Sequence, residues 1–129
     1  MTVTSPKLGP RFAGVVDSGA PLSVASWELV QACGVAVDTD PIMTVPLGLG
    51  GTLRTMPVFA LELELVPPRT ETVETPVHWS LPVAVQVGWR FPFAILLGQR
   101  GWFDTFTTVM GTDWLVVGPA SRPEDHAFG

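Results

Sequence analysis

One cysteine, Cys33, stands alone among 129 residues, so no disulfide forms within the chain, and this usage suits a reducing compartment. Histidine is nearly as scarce. His78 and His126 lie far apart, with no cysteine or acidic companion at ligand spacing, and no metal site or other cofactor is expected. Seven basic residues face twelve acidic ones, a net charge of −5. That balance offers no footprint for a phosphate backbone, so nucleic acid is not an expected partner. No apolar run approaches the ~18 residues needed to cross a bilayer, and the first residues lack the charged-then-apolar pattern of a signal peptide. The expectation is a soluble, cytoplasmic protein with no membrane partner.

What is abundant is apolar surface. Hydrophobic residues make up 47% of the chain and charged residues 15%, too apolar a mixture for disorder across the body. The length fits one domain rather than two lobes of ordinary size, and such a domain buries roughly two thirds of its unfolded surface. The apolar content argues for further burial against a partner. Trp27, Trp79, Trp89, Trp102 and Trp114 fit either core packing, the simpler reading for any one of them, or an interface.

The most informative stretch is Asp17-Ser18-Gly19-Ala20. The run Phe12-Ala13-Gly14-Val15-Val16 before it reads as a buried strand that delivers one carboxylate onto a tight turn. Gly19 lets the chain fold back sharply, and the Ser18 hydroxyl can hydrogen-bond across the turn. An ordinary Asp-Ser-Gly surface turn remains the plainer alternative.

Residues 1–11 read as a short arm at a sheet edge. Val24, Trp27 and Val30 recur at helical spacing, Ser23 is placed to cap the start and Gly34 to close the end, predicting a helix of about three turns. Val45 to Val58 reads as a β-hairpin around Gly48-Leu49-Gly50-Gly51. Phe59 to Leu65 alternates as a strand with Glu62 and Glu64 on one face. A proline-bounded polar loop covers 67–76. Trp79 to Trp89 alternates again, with Leu81, Val83, Val85 and Val87 on one side and Pro82 pointing to an edge or bulge. Phe93 to Gly98 reads as a central strand buried on both faces. Residues 99–105 suggest a short helix, with Trp102 and Phe103 inward. Residues 107–110 and 114–117 suggest a closing hairpin. The domain spans 1–117, and 118–129 read as a flexible tail. The class is all-β, mainly antiparallel, with one or two short helices.

Three features in this order, the strand ending in Asp17-Ser18-Gly19-Ala20, the glycine hairpin at 48–51 and Ile95-Leu96-Leu97-Gly98, resemble the retropepsin-like aspartic proteases. The likeness runs from about Arg11 to Val117, and the helix after Asp17 is closer to the bacterial and cellular branch than to the compact viral one. It implies a closed antiparallel β-barrel or sandwich lobe that acts as a homodimer on a peptide or protein. Under it, Asp17 is the catalytic aspartate, and Ser18, with Gly19 and Ala20, supports the active-site loop across the dimer. Gly48, Leu49, Gly50 and Gly51 form the tip of a flap over the substrate, and Ile95 to Gly98 pass behind the aspartate loop. Two departures stand out. Gln99-Arg100 follow Gly98 where the family often carries Asp or Asn at the second position, and residues 88–93 lack the acidic turn common in bacterial relatives.

Hydrolysis of a peptide by aspartates needs two carboxyl groups on one water, and they share a proton because two charges about 3 Å apart repel. The chain holds one Asp-Ser/Thr-Gly, so a second Asp17 comes from a two-fold partner copy. For the glycine hairpin, a plain turn and a moving flap are equally open. Neither a dinucleotide nor a Gly-Lys-Ser/Thr phosphate cradle is present. Ser18 lacks the surroundings of a nucleophilic serine, and Cys33, with no base beside it, reads as an inert thiol. The alternative function is a catalytically inactive dimerisation or peptide-binding module on the same fold.

Overall fold

Exposure alternates residue by residue along Phe12–Val16: Ala13 and Val15 face solvent, Gly14 is buried and Val16 half-buried. That period of two is what a strand with one wet face produces. It corrects the expectation of a buried strand. The computed structural model describes residues 1–6, 9–49, 52–66, 77–110 and 115–119. In chain order these form β1 (Thr2–Thr4), β2 (Phe12–Val16), β3 (Val24–Ser26), α1 (Trp27–Ala32), β4 (Met43–Leu49), β5 (Thr52–Val66), β6 (Val77–Gln86), β7 (Ile95–Leu97), β8 (Phe106–Met110) and β9 (Leu115–Pro119).

The protein is all-β, and its main sheet closes. The strands follow the order β1-β2-β7-β3-β6-β5-β4, and β1 also pairs with β5. Six strands therefore make a barrel, and β4 hangs on the outside of β5. Residues 1–11 are thus not an edge arm, because β1 is the stave that joins β2 to β5. Most ladders are antiparallel, but β2–β7 and β3–β6 are parallel. β5 is long enough to serve three partners. Residues 52–58 pair with β4, residues 58–65 with β6 and residues 64–66 with β1.

The predicted helix is shorter than its periodicity suggests. Val24–Ser26 are drawn into β3 by pairing with both β6 and β7, so the cap falls on Ser26, whose Oγ accepts from Leu29 N at 3.2 Å. Gly34 ends the helix with φ 93°, open to glycine without strain. A six-residue helix is too short to stand unaided. Leu29 and Val30, both fully buried, anchor it by about 1.5–3 kcal/mol each.

Residues 99–105 form successive tight turns rather than a helix, bracketed by a bridge between Gly98 and Gly101. Their purpose in the fold is to drop Trp102 into the barrel. Trp102 is fully buried and packs on Trp79 (centroids 5.5 Å apart, edge to face) and Phe106 (4.7 Å). Each indole finds an acceptor, Trp79 Nε1 donating to the Gly101 carbonyl and Trp102 Nε1 to Thr108 Oγ1, both at 2.8 Å. Around them Leu61, Leu63, Leu81, Val83, Val85, Ile95 and Leu97 complete the core.

On β6 Trp79, Leu81, Val83 and Val85 are buried, as is Ala84 between the last two, but Val87 lies beyond the strand and is 80% exposed. Pro82 makes no break in the ladder with β5, where it pairs with Ala60, and on its other side it stands at a local edge of the sheet. It is tolerated because β3 begins pairing with β6 only at Ala84, so no ladder bond is asked of its nitrogen on that side. The strand of 93–98 is confined to Ile95–Leu97, with Ile95 and Leu97 buried and Leu96 half-buried. The closing hairpin is β8–β9, and it continues through Pro119; Trp114 and residues 120–129 lie outside the described residues. No helix among the described residues is long and apolar enough to cross a membrane.

Candidate active site

β2 ends by handing Asp17 to a turn that its own backbone and side chain shape. The ladder with β7 carries one step past the strand, where Asp17 N donates to the Leu97 carbonyl at 2.9 Å. Ala20 N then donates to the Asp17 carbonyl at 3.2 Å, closing the turn, and Gly19 N donates to Asp17 Oδ1 at 2.9 Å. A side chain that bonds the backbone two residues on is the usual device by which Asp shapes a turn. Its effect here is to fix one carboxylate oxygen while the residue stays exposed. Ser18 and Gly19 are exposed beside it, and Ala20 is half-buried.

The turn is held from behind. β7 lies between β2 and β3, the strands that enter and leave the Asp17 turn, parallel to the first and antiparallel to the second. Ile95, Leu96, Leu97 and Gly98 are thereby brought against residues 14–24. At Gly98 the approach is close enough that a Cβ would lie 2.6 Å from the Ala20 carbonyl oxygen and closer still to that of Leu22. Only glycine fits there. Beyond it, Gln99 N donates to the Ala20 carbonyl at 2.8 Å and Arg100 N to that of Pro21 at 3.2 Å. The Gln99 side chain turns back as well, Nε2 donating to the Ser18 carbonyl at 2.6 Å.

Ser23 joins these pieces inside the protein. At 1% exposure, its Oγ accepts from Gly98 N at 3.1 Å and donates to the Arg100 carbonyl at 2.6 Å. Gly101 sits against it with φ 104°, where a Cβ would come within 2.7 Å of that hydroxyl. The Gly101 carbonyl takes the Trp79 indole proton. Hydrogen bonds and the backbone of residues 98–101 together thus link the barrel core to the Asp17 turn. Sequence reasoning assigned Ser23 to a helix cap and read Gln99-Arg100 as a departure. The glycines at 98 and 101, three residues apart, were the signal for a close backbone crossing.

Of the hairpin residues named from sequence, Gly48 and Leu49 end β4, while Gly50 and Gly51 lie outside the described residues. The base of this hairpin meets the exit of the Asp17 turn. Met43 and Val45 from β4, Val58 from β5 and Leu22 line a small cavity of about 20 Å³, with Arg100 at its side. Asp17 is not among its lining residues. Among the described residues no group of three or more His, Cys, Asp or Glu side chains is placed to hold a metal ion. Cys33 caps the end of α1 and is half-buried, and burial pushes its thiol up to about 11, which keeps it in the unreactive protonated form at neutral pH.

No family model, curated protein or solved structure matches this chain.

Proposed function

We propose that this chain is a retropepsin-like aspartic endopeptidase that works as a homodimer. The observation that carries the reading is the Asp17 carboxylate, presented on an exposed turn and clamped by a strand threaded between the two strands that flank that turn. A carboxylate of this kind is a pre-organised acid or base. One copy supplies one such group, and a two-fold axis beside the turn supplies the second.

In the proposed reaction the paired Asp17 side chains hold one proton and one water between them. The charged carboxylate takes a proton from the water, whose oxygen bonds to the peptide carbonyl carbon. The neutral carboxyl gives its proton to the carbonyl oxygen, producing a tetrahedral diol. Collapse of the diol breaks the carbon–nitrogen bond, and a proton passes to the departing amine. The net change is addition of one water. Gln99 and Ser23 act through the turn: they hold its backbone so that the two acids meet at a fixed separation.

The test is digestion of a denatured protein pool from acid to neutral pH by the full chain and by Asp17→Asn, each checked for dimer by sedimentation. Cleavage by the first and none by the second is expected. Unchanged cleavage by Asp17→Asn removes Asp17 from the chemistry, and inertness of demonstrably dimeric wild-type protein selects the non-catalytic binding module instead.

A further inference from the structure

One face of the β4–β5 hairpin joins apolar side chains to two cations. Met43 stands opposite Val58 and Val45 opposite Met56 in the ladder, and residues opposite each other share a face. Met56 and Val58 are buried in an apolar cluster of their own, apart from the barrel core. The alternation that buries them reaches Arg54 next, which is exposed and about 7 Å from Met56 at the usual rise per residue. At the other end Arg100 lines the cavity that Met43, Val45 and Val58 share with Leu22. Its backbone is tied to the exit of the Asp17 turn, the N–H donating to the Pro21 carbonyl and the carbonyl accepting from Ser23 Oγ, while the residue stays exposed. Among the described residues neither guanidinium has an ion-pair partner.

An unpaired guanidinium beside apolar ground is a receptor for a carboxylate, which it grips through two parallel hydrogen bonds. The spacing suits an extended peptide. Arg100 shares its cavity with Val58, and Arg54 lies four residues along β5 from Val58, about 13 Å. Side chains four positions apart in an extended peptide cover that span and share a face. The face also has a direction. Beyond Val58 the same alternation carries Glu62 and Glu64, so a carboxylate is attracted toward the hairpin and repelled farther along the strand. A phosphate backbone matches poorly, because the ground between the two cations is apolar. Asp17 does not line the cavity, so a carboxylate held here belongs to a residue some positions away from the reacting bond.

Resting on the function proposed above, we infer that Arg54 and Arg100 select peptides that carry acidic side chains at a distance from the cleaved bond.

The test uses the Asp17→Asn chain, so that binding is read without hydrolysis. Two labelled decapeptides are titrated by fluorescence anisotropy, identical except that one carries four Glu where the other carries Gln. The Glu peptide is expected to bind about three- to tenfold more tightly at low salt, and the advantage should shrink at high salt. The chain as a whole has a net charge of −5, so long-range charge works against that result and only local cations produce it. The preference should vanish in Arg54→Gln/Arg100→Gln and survive in part in Arg100→Lys. Both arginines are exposed, so an unchanged urea midpoint is expected of each variant. Equal binding of the two peptides, or a preference that survives loss of both arginines, overturns the inference. So does a single-stranded oligonucleotide that displaces the Glu peptide at equal concentration. Selective binding without any cleavage by the wild-type chain leaves the acidic groove standing and removes the endopeptidase. Cleavage with no acidic preference does the reverse.

Discussion

Gln99 and Ser18 are joined across 81 positions of chain by one hydrogen bond, the Gln99 amide Nε2 donating to the Ser18 carbonyl oxygen at 2.6 Å. The bond is solvent-exposed, so its removal in Gln99→Ala should lower global stability by no more than about 0.5–1.5 kcal/mol. Its weight falls on placement. If the turn carries a reacting acid, displacement of the backbone beside Asp17 is expected to cut peptide cleavage by about tenfold or more. Gln99→Glu offers no donor and should behave the same way, while Gln99→Lys keeps one and should recover part of the rate. Steady-state rates beside urea midpoints separate the two effects.

Ser23→Ala strikes the buried junction. It strips a partner from Gly98 N and from the Arg100 carbonyl at once. Leaving buried polar groups unmatched costs about 2–3 kcal/mol. The urea midpoint should fall with the slope unchanged.

Gly98→Ala should be worse. The added methyl meets the backbone carbonyls of Ala20 and Leu22, which belong to the turn exit and cannot yield as a flexible side chain would. A loss of about 3 kcal/mol or more is expected, measured as failure to fold or as a thermal midpoint lowered well beyond that of a surface control.

Much of this frame is legible in the sequence. The apolar run into Asp17-Ser18-Gly19 and the run Ile95-Leu96-Leu97-Gly98 read as strands from composition alone, and they lie side by side. What composition misses is decided by partners. Val24 fits a helical stripe with Trp27 and Val30, yet pairing on both sides pulls Val24–Ser26 into β3. Ala13 and Val15 look like core but face out, because strand identity does not say which face is covered. Residues 99–105 lack a helix because Gly98 and Gly101 bring the chain against Ser23, a contact 75 residues away in sequence.

Cys33 gives a pH dependence of stability with a definite sign. Burial raises its thiol from 9.0 to about 11 in the folded chain. The unfolded chain therefore releases this proton first as pH rises, and binds fewer protons than the folded chain between about 9 and 11. Stability should be intact below pH 9 and decline through that window. Cys33→Ala should flatten the decline, and the wild-type thiol should react slowly with a disulfide reagent at neutral pH. Urea titrations at pH 8, 9, 10 and 11 measure the slope.

The central claim, that two copies contribute one Asp17 each to a single reacting centre, is tested most directly by mixing. Wild-type and Asp17→Asn chains are combined in equal amounts, allowed to exchange subunits, and assayed on a peptide substrate. If both acids are required, only wild-type pairs cleave, and activity should fall to about a quarter of that of the same total amount of wild-type chain. Activity at one half would mean that each chain acts by itself, and the shared centre would be contradicted.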